Sequence, residues 1–170
     1  AFTKRPHLTL SIQWNRALVQ VTVPNGLDGQ LRKALVRLGA KGFKEVLAKV
    51  SKGTRPILVK EPAAVPYLML LQRHYPSQRS EGIIDARLEF DLRTAFGDEG
   101  CPVKEQPEWL DLAHNAFVGR RSNLQLSVGV AFPYSTCESV RNRGFADMVE
   151  RSWLACLPLI EAMGLGLCTK

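Results

Sequence analysis

The chain of 170 residues is long enough to bury a core of its own as one domain, without disulfide or metal staples. Apolar residues make up 45% and charged residues 23%, which excludes wholesale disorder. No apolar run reaches the length of a membrane span, since the nearest, WLACLPLIEAMGLGLC near the C-terminus, is broken by Pro158 and Glu161. The N-terminal AFTKRPHLTL is charged but has no apolar core followed by a cleavage site, so an exported precursor is not expected.

The net charge of +7 is unevenly spread. Residues 1–60 carry twelve Lys and Arg against two acids, Asp28 and Glu45, whereas residues 61–118 carry ten acids against five bases. A basic third beside an acidic middle can present faces of opposite sign. That suits a polyanion partner, and it equally suits head-to-tail contact between copies of one subunit; a solvated mixed surface accounts for the same composition. Cys101, Cys137, Cys156 and Cys168 are scattered, with no CxxC pair to begin a zinc tetrahedron, so they are expected to be reduced thiols in a reducing compartment.

In chain order, HLTLSIQW alternates with Leu8, Leu10, Ile12 and Trp14 pointing one way, and ALVQVTVP repeats the pattern with Val19, Val21 and Val23. Two period-2 runs joined by a short turn predict a β-hairpin, closed at its far end by Pro24-Asn25-Gly26. Leu27, Leu31, Leu35 and Leu38, then Val46, Leu47 and Val50, recur at three- and four-residue steps and predict a helix. Gly39 and Gly42 each cost about 1 kcal/mol there relative to Ala, which predicts a break or sharp kink between Leu38 and Phe43. Gly53 is expected to end the helix, with TRPILVKE as a short strand between Pro56 and Pro62. AAVPYLMLLQRHYP reads as a short helix or a buried extended segment, SQRSEG as a polar loop.

IIDARLEFDL alternates Ile84, Ala86, Leu88, Phe90 and Leu92 against Asp85, Arg87, Glu89 and Asp91, a half-buried strand with a charged outer face. A breaker-rich connection, with a loop insertion expected at 97–107, leads to the short helix EWLDLAHNAF and the strand LQLSVGVAF. The C-terminal GFADMVERSWLACLPLIEAM is helical, with an apolar stripe of Phe145, Met148, Val149, Cys156 and Ile160 and a kink expected at Pro158. Four to five mainly antiparallel strands and three to four helices, without βαβ alternation, make one α+β domain over 1–170.

Groups suited to catalysis are sparse. Asp111 and His114 sit i, i+3 on a helix, a spacing that can orient an imidazole and that also occurs as a plain surface pair. Asp85, Glu89 and Asp91 share a strand face and could hold Mg²⁺, but Arg87 and Arg93 share that face too, and ion pairing is the simpler account. No phosphate-cradling GxxxxGK[ST] or GxGxxG loop occurs. We therefore expect no enzyme, no cofactor and no metal. The helical region at 29–56 instead gathers Lys33, Arg37, Lys41 and Lys44 at helical spacing, with Lys52 beyond, as polyanion-binding candidates.

Two resemblances bear on this region. The GxxG of LGAKGFKEV, Gly39 to Gly42, resembles the loop of KH domains, in which a turn between two helices clamps a nucleotide backbone. The stretch LDGQLRKALVRLGAKGFKEVLAKVSKGTRPIL, with a looser echo in YSTCESV and FADMVERSW, resembles the tail-completion or head–tail joining proteins of long-tailed phages. The second resemblance implies an assembly part with ring-forming contacts and no catalytic residues, in the virion or the cytoplasm. The expected function is thus a non-enzymatic subunit of a larger assembly, a homo-oligomer or a partner of other subunits and no membrane protein. The alternative is a nucleic-acid-binding module using the basic stripe and the GxxG turn of residues 32–52.

Overall fold

The computed structural model describes residues 4–74, 83–119 and 123–165, and leaves undescribed the side chains of residues 73, 74, 83 and 85. The hairpin forms as expected, with β1 (His7–Ile12) paired antiparallel to β2 (Arg16–Val23) from His7↔Thr22 to Ile12↔Ala17. Then come α1 (Gly29–Lys60), β3 (Val65–His74), β4 (Ile83–Asp91), the single turn α2 (Arg93–Phe96), α3 (Trp109–Val118), β5 (Leu124–Pro133), a 3₁₀ turn at Ser139–Arg141, and α4 (Phe145–Ala162). Among the described residues the strands form one antiparallel sheet in the order β1-β2-β5-β3-β4, and with the four α-helices the fold is α+β. AAVPYLMLLQRH is therefore the extended alternative, a buried inner strand. Cys168 and the expected loop SQRSEG lie outside the described residues.

Strand alternation gives the sheet two unlike faces. Val19, Val21 and Val23 of β2, Leu126, Val128 and Val130 of β5, and Leu68 and Leu70 of β3 point to one side and form the core with α1, α3 and α4. The other face carries Leu18, Tyr67, Met69, Leu71 and Ala131, all buried, and among the described residues no helix packs on them. The sheet buries this face by curling on itself. Its pivot is Gly129 in the central strand β5: a Cβ there would lie 2.1 Å from the Val19 carbonyl oxygen and 2.6 Å from Gln20 Cα. With no side chain at Gly129, the Tyr67 hydroxyl on β3 reaches across β5 to donate to Gln20 Oε1 on β2. At the rim, Arg16 of β2 donates to both Glu89 carboxylate oxygens of β4, at 2.6 and 2.8 Å. In a flat sheet those strands would be roughly 14 Å apart, so the bidentate pair holds the curl closed.

α1 contains the expected break. Gly39 has φ 64 and ψ 177, a conformation open in practice only to glycine, while helix resumes at once through Gly42. Two expectations fail downstream. Gly53 does not end the helix: it sits where α1 crosses α4, and the Ala155 Cα would lie 3.1 Å from a Cβ at this position. TRPILVKE is not a strand but the last turns of α1, with Pro56 inside the helix and Thr54 and Ile57 buried three apart. Their spacing from Val50 continues the helical stripe, and the packing it gains outweighs the hydrogen bond that Pro56 cannot donate.

The alternation of IIDARLEFDL also breaks. Pairing runs Gln72↔Ala86 and then Arg73↔Ile84, so Asp85 is an extra residue and Ile84 moves to the face of Arg87 and Glu89. The connection after α2 is fastened to the body: Val103 N–H and Gln106 Nε2 both bond the Ala95 carbonyl at 2.9 Å, and Gly100 packs on the Lys52 backbone. α4 runs through Pro158 to Ala162, with its buried stripe on Met148, Val149, Cys156 and Leu159.

Candidate functional sites: a basic groove and uncovered sheet edges

The basic stripe divides once folded. Lys33, Arg37 and Lys41 are exposed, and among the described residues none has an ion-pair partner. Lys44 is already committed, its Nζ 2.8 Å from Asp111 of α3. Lys52 is exposed further along α1, next to Arg55, which pairs with Glu99 at 2.8 Å. Arg32, one residue from the stripe, turns inward: it donates to the Phe117 carbonyl at 2.9 Å and lies over the Phe117 ring. Gly39 and Gly42 fall at the kink and in the resumed helix, and Leu38 fills the space beside Gly42.

Sequence reasoning missed what stands opposite the stripe. The Asp28 N–H donates to the Lys4 carbonyl at 2.9 Å, which pins the N-terminal arm against the start of α1. Lys4 and Arg5 thereby face Lys33 and Arg37 across a groove of about 950 Å³, floored by Leu31 and Met163. Asp28 is the acid in the lining, and its Oδ1 is occupied in capping α1, where it accepts the Gln30 N–H at 2.9 Å. No local pattern links residues 4 and 5 to 33 and 37, because two strands intervene.

The candidate catalytic groups do not converge. Asp111 turns to Lys44, and His114 is buried against Phe43 with its Nε2 unpartnered among the described residues. On β4 ion pairing prevails. Glu89 binds Arg16 and Arg87, and Asp91 binds Arg93 at 2.6 Å. Burial works to raise the Glu89 pKa, but the hydrogen bonds from Arg16 and Arg87 outweigh it and hold the carboxyl below its ordinary value. Burial pushes the Cys137 thiol up to about 11 and the Cys156 thiol up to about 12, which keeps both protonated at neutral pH. Cys101 is exposed. Among the described residues no three His, Cys, Asp or Glu side chains gather to hold a metal, and no helix is long and apolar enough to cross a membrane.

A second feature lies at the margins of the sheet. The helices cover its centre and α4 reaches β1 with Trp153, whose indole N–H donates to the Thr9 carbonyl at 3.4 Å, yet Leu8, Leu10 and Ile12, which point to the helix side, remain exposed, Ile12 by 68%. Trp14, expected to share their face, stands instead in the hairpin turn, 92% exposed. The opposite edge, β4, leaves Leu88 55% exposed. Among the described residues the two edge strands hold five of the ten exposed large apolar side chains, Leu8, Leu10, Ile12, Ile84 and Leu88. Comparison of the chain with known protein families, with curated proteins and with solved structures finds no match.

Proposed function

We propose that this chain is a non-catalytic subunit that assembles with further copies of itself through the edge strand β1. The observation that carries the reading is β1 itself. Among the described residues the outer edge of Leu8–Ile12 pairs with no strand, and the apolar row Leu8, Leu10 and Ile12 beside it is 44–68% exposed. An edge that is both unpaired and apolar is one that natural sheets normally blunt with charge, proline or a covering element. The row is also symmetric about Leu10. Two β1 strands laid antiparallel set Leu10 against Leu10 and Leu8 against Ile12, the self-complementarity that a two-fold contact needs. The same register sets Trp14 of one copy beside Pro6 of the other, where the indole and the proline ring add to the contact.

The neck or tail-completion type of virion subunit, which residues 25–60 resemble, is the specific form of this proposal. The dispersal of Asp111 and His114 and the raised thiols support its non-catalytic character. Light scattering coupled to size-exclusion chromatography tests it over a range of concentrations. The wild-type chain is expected to form a dimer that Leu10→Lys or Ile12→Lys, both at exposed positions, converts to a monomer of unchanged circular dichroism. A wild-type chain that is monomeric throughout, or variants that associate as it does, would overturn the reading.

A further inference from the structure

We infer that the groove between the N-terminal arm and α1 binds the phosphodiester backbone of a nucleic acid. Four side chains carry the site: Lys4 and Arg5 on one wall, Lys33 and Arg37 on the other. All four are exposed and, among the described residues, without an ion-pair partner. The arm is held in place by the Asp28–Lys4 backbone bond, so the fold brings four like charges together across one opening. Like charges so placed repel, and a bound polyanion relieves that repulsion by replacing their counterions.

Three features narrow the class of polyanion. The groove is concave, which admits a strand and excludes the flat surface of a bilayer. Its charged lining is two ammonium and two guanidinium groups against one carboxylate, Asp28, whose Oδ1 already accepts from the helix. A phosphodiester backbone, which presents acceptors alone, suits such a lining better than an acidic peptide, whose N–H groups lysine and arginine cannot serve. Lys33 and Arg37 stand one helical turn apart, about 6 Å along the axis, so the α1 wall presents its cations as a row, as a chain-like ligand requires. The inference is independent of self-assembly, because every residue in it belongs to one copy.

The test is fluorescence polarisation with a labelled mixed-sequence oligonucleotide, single-stranded and duplex, between about 50 and 200 mM salt. Four neutralised phosphates predict that log affinity falls with log salt at a slope of about −3 for the single strand and close to −4 for the duplex. Replacing Lys4, Arg5, Lys33 and Arg37 together by Gln is expected to remove most of that slope, and either wall alone about half. The same four changes should leave circular dichroism and the urea midpoint unchanged. Lys49→Gln with Lys52→Gln, outside the groove, is expected to leave the slope as it is. No binding at low salt, a slope untouched by the fourfold change, or a slope lost with Lys49 and Lys52 would each overturn the inference. So would equal or tighter binding to phosphatidylserine-containing vesicles or to polyglutamate, each of which would name a different ligand.

Discussion

Single residues decide more of this architecture than their size implies, and Gly129 is the clearest. Since the Val19 carbonyl oxygen occupies the space a Cβ would need, at 2.1 Å, Gly129→Ala has to push β2 and β5 apart or flatten the curl. A loss of about 3 kcal/mol is expected in urea denaturation. The rim pair is a milder case. Glu89→Gln replaces a bidentate ion pair that is roughly three-quarters buried, and about 1–2 kcal/mol should go with it. Glu61, also buried, gives a pH-dependent effect. Burial works to raise its pKa, but hydrogen bonding from the 3₁₀ turn, with the Ser139 N–H donating at 2.6 Å, outweighs it and holds the carboxyl low. A carboxyl depressed in the folded state stabilises the fold above its unfolded pKa and loses that contribution as pH falls through the folded value. Urea midpoints measured downward from neutral pH through about 4 should therefore fall less steeply for Glu61→Gln than for the wild type.

At the scale of elements, the same glycine pair that marks a kink divides into one essential position and one that is merely tolerated. Gly39→Ala forces a side chain into φ 64 and is expected to cost about 1–3 kcal/mol. Gly42→Ala, in regular helix, gains propensity and is opposed by a 3.2 Å approach to Leu38, so its effect should lie near zero. Both are read from urea midpoints. The kink, the hairpin, β5, α3 and α4 were legible in the sequence because each is a long periodic pattern bounded by breakers. The last turns of α1 were misread because Pro56 and Gly53 outweighed Thr54 and Ile57, although those two continue the apolar spacing of Val50. The bulge at Asp85 left no mark, since alternation in the sequence persists through it. Of the basic site, the α1 half was plain from spacing. The Lys4–Arg5 half was not, because only the fold brings an arm from before the hairpin back to the helix start. Lys44 was equally illegible, because its partner Asp111 lies on another helix.

Across the whole molecule, charge and apolar surface are sorted to different places. Three acids of the middle third pair with bases of the first sixty residues, through Arg16–Glu89, Lys44–Asp111 and Arg55–Glu99. Lys4, Arg5, Lys33 and Arg37, without ion-pair partners among the described residues, meet at the arm and the first turns of α1, while the exposed apolar row runs along β1. The two surfaces can thus be altered separately: Leu10→Lys should abolish association and spare oligonucleotide binding, and the fourfold Gln change the reverse. Trp14 ties the chain's light emission to the state of that margin. Of its three tryptophans, Trp109 is stacked on Phe90 and Trp153 is half-covered beside Thr9, which leaves the hairpin indole as the one fully open to water. Iodide should quench it readily in the dilute chain and poorly once copies meet, with the emission maximum moving to the blue. A sample would report its own assembly without a label, and Trp14→Phe would silence the signal.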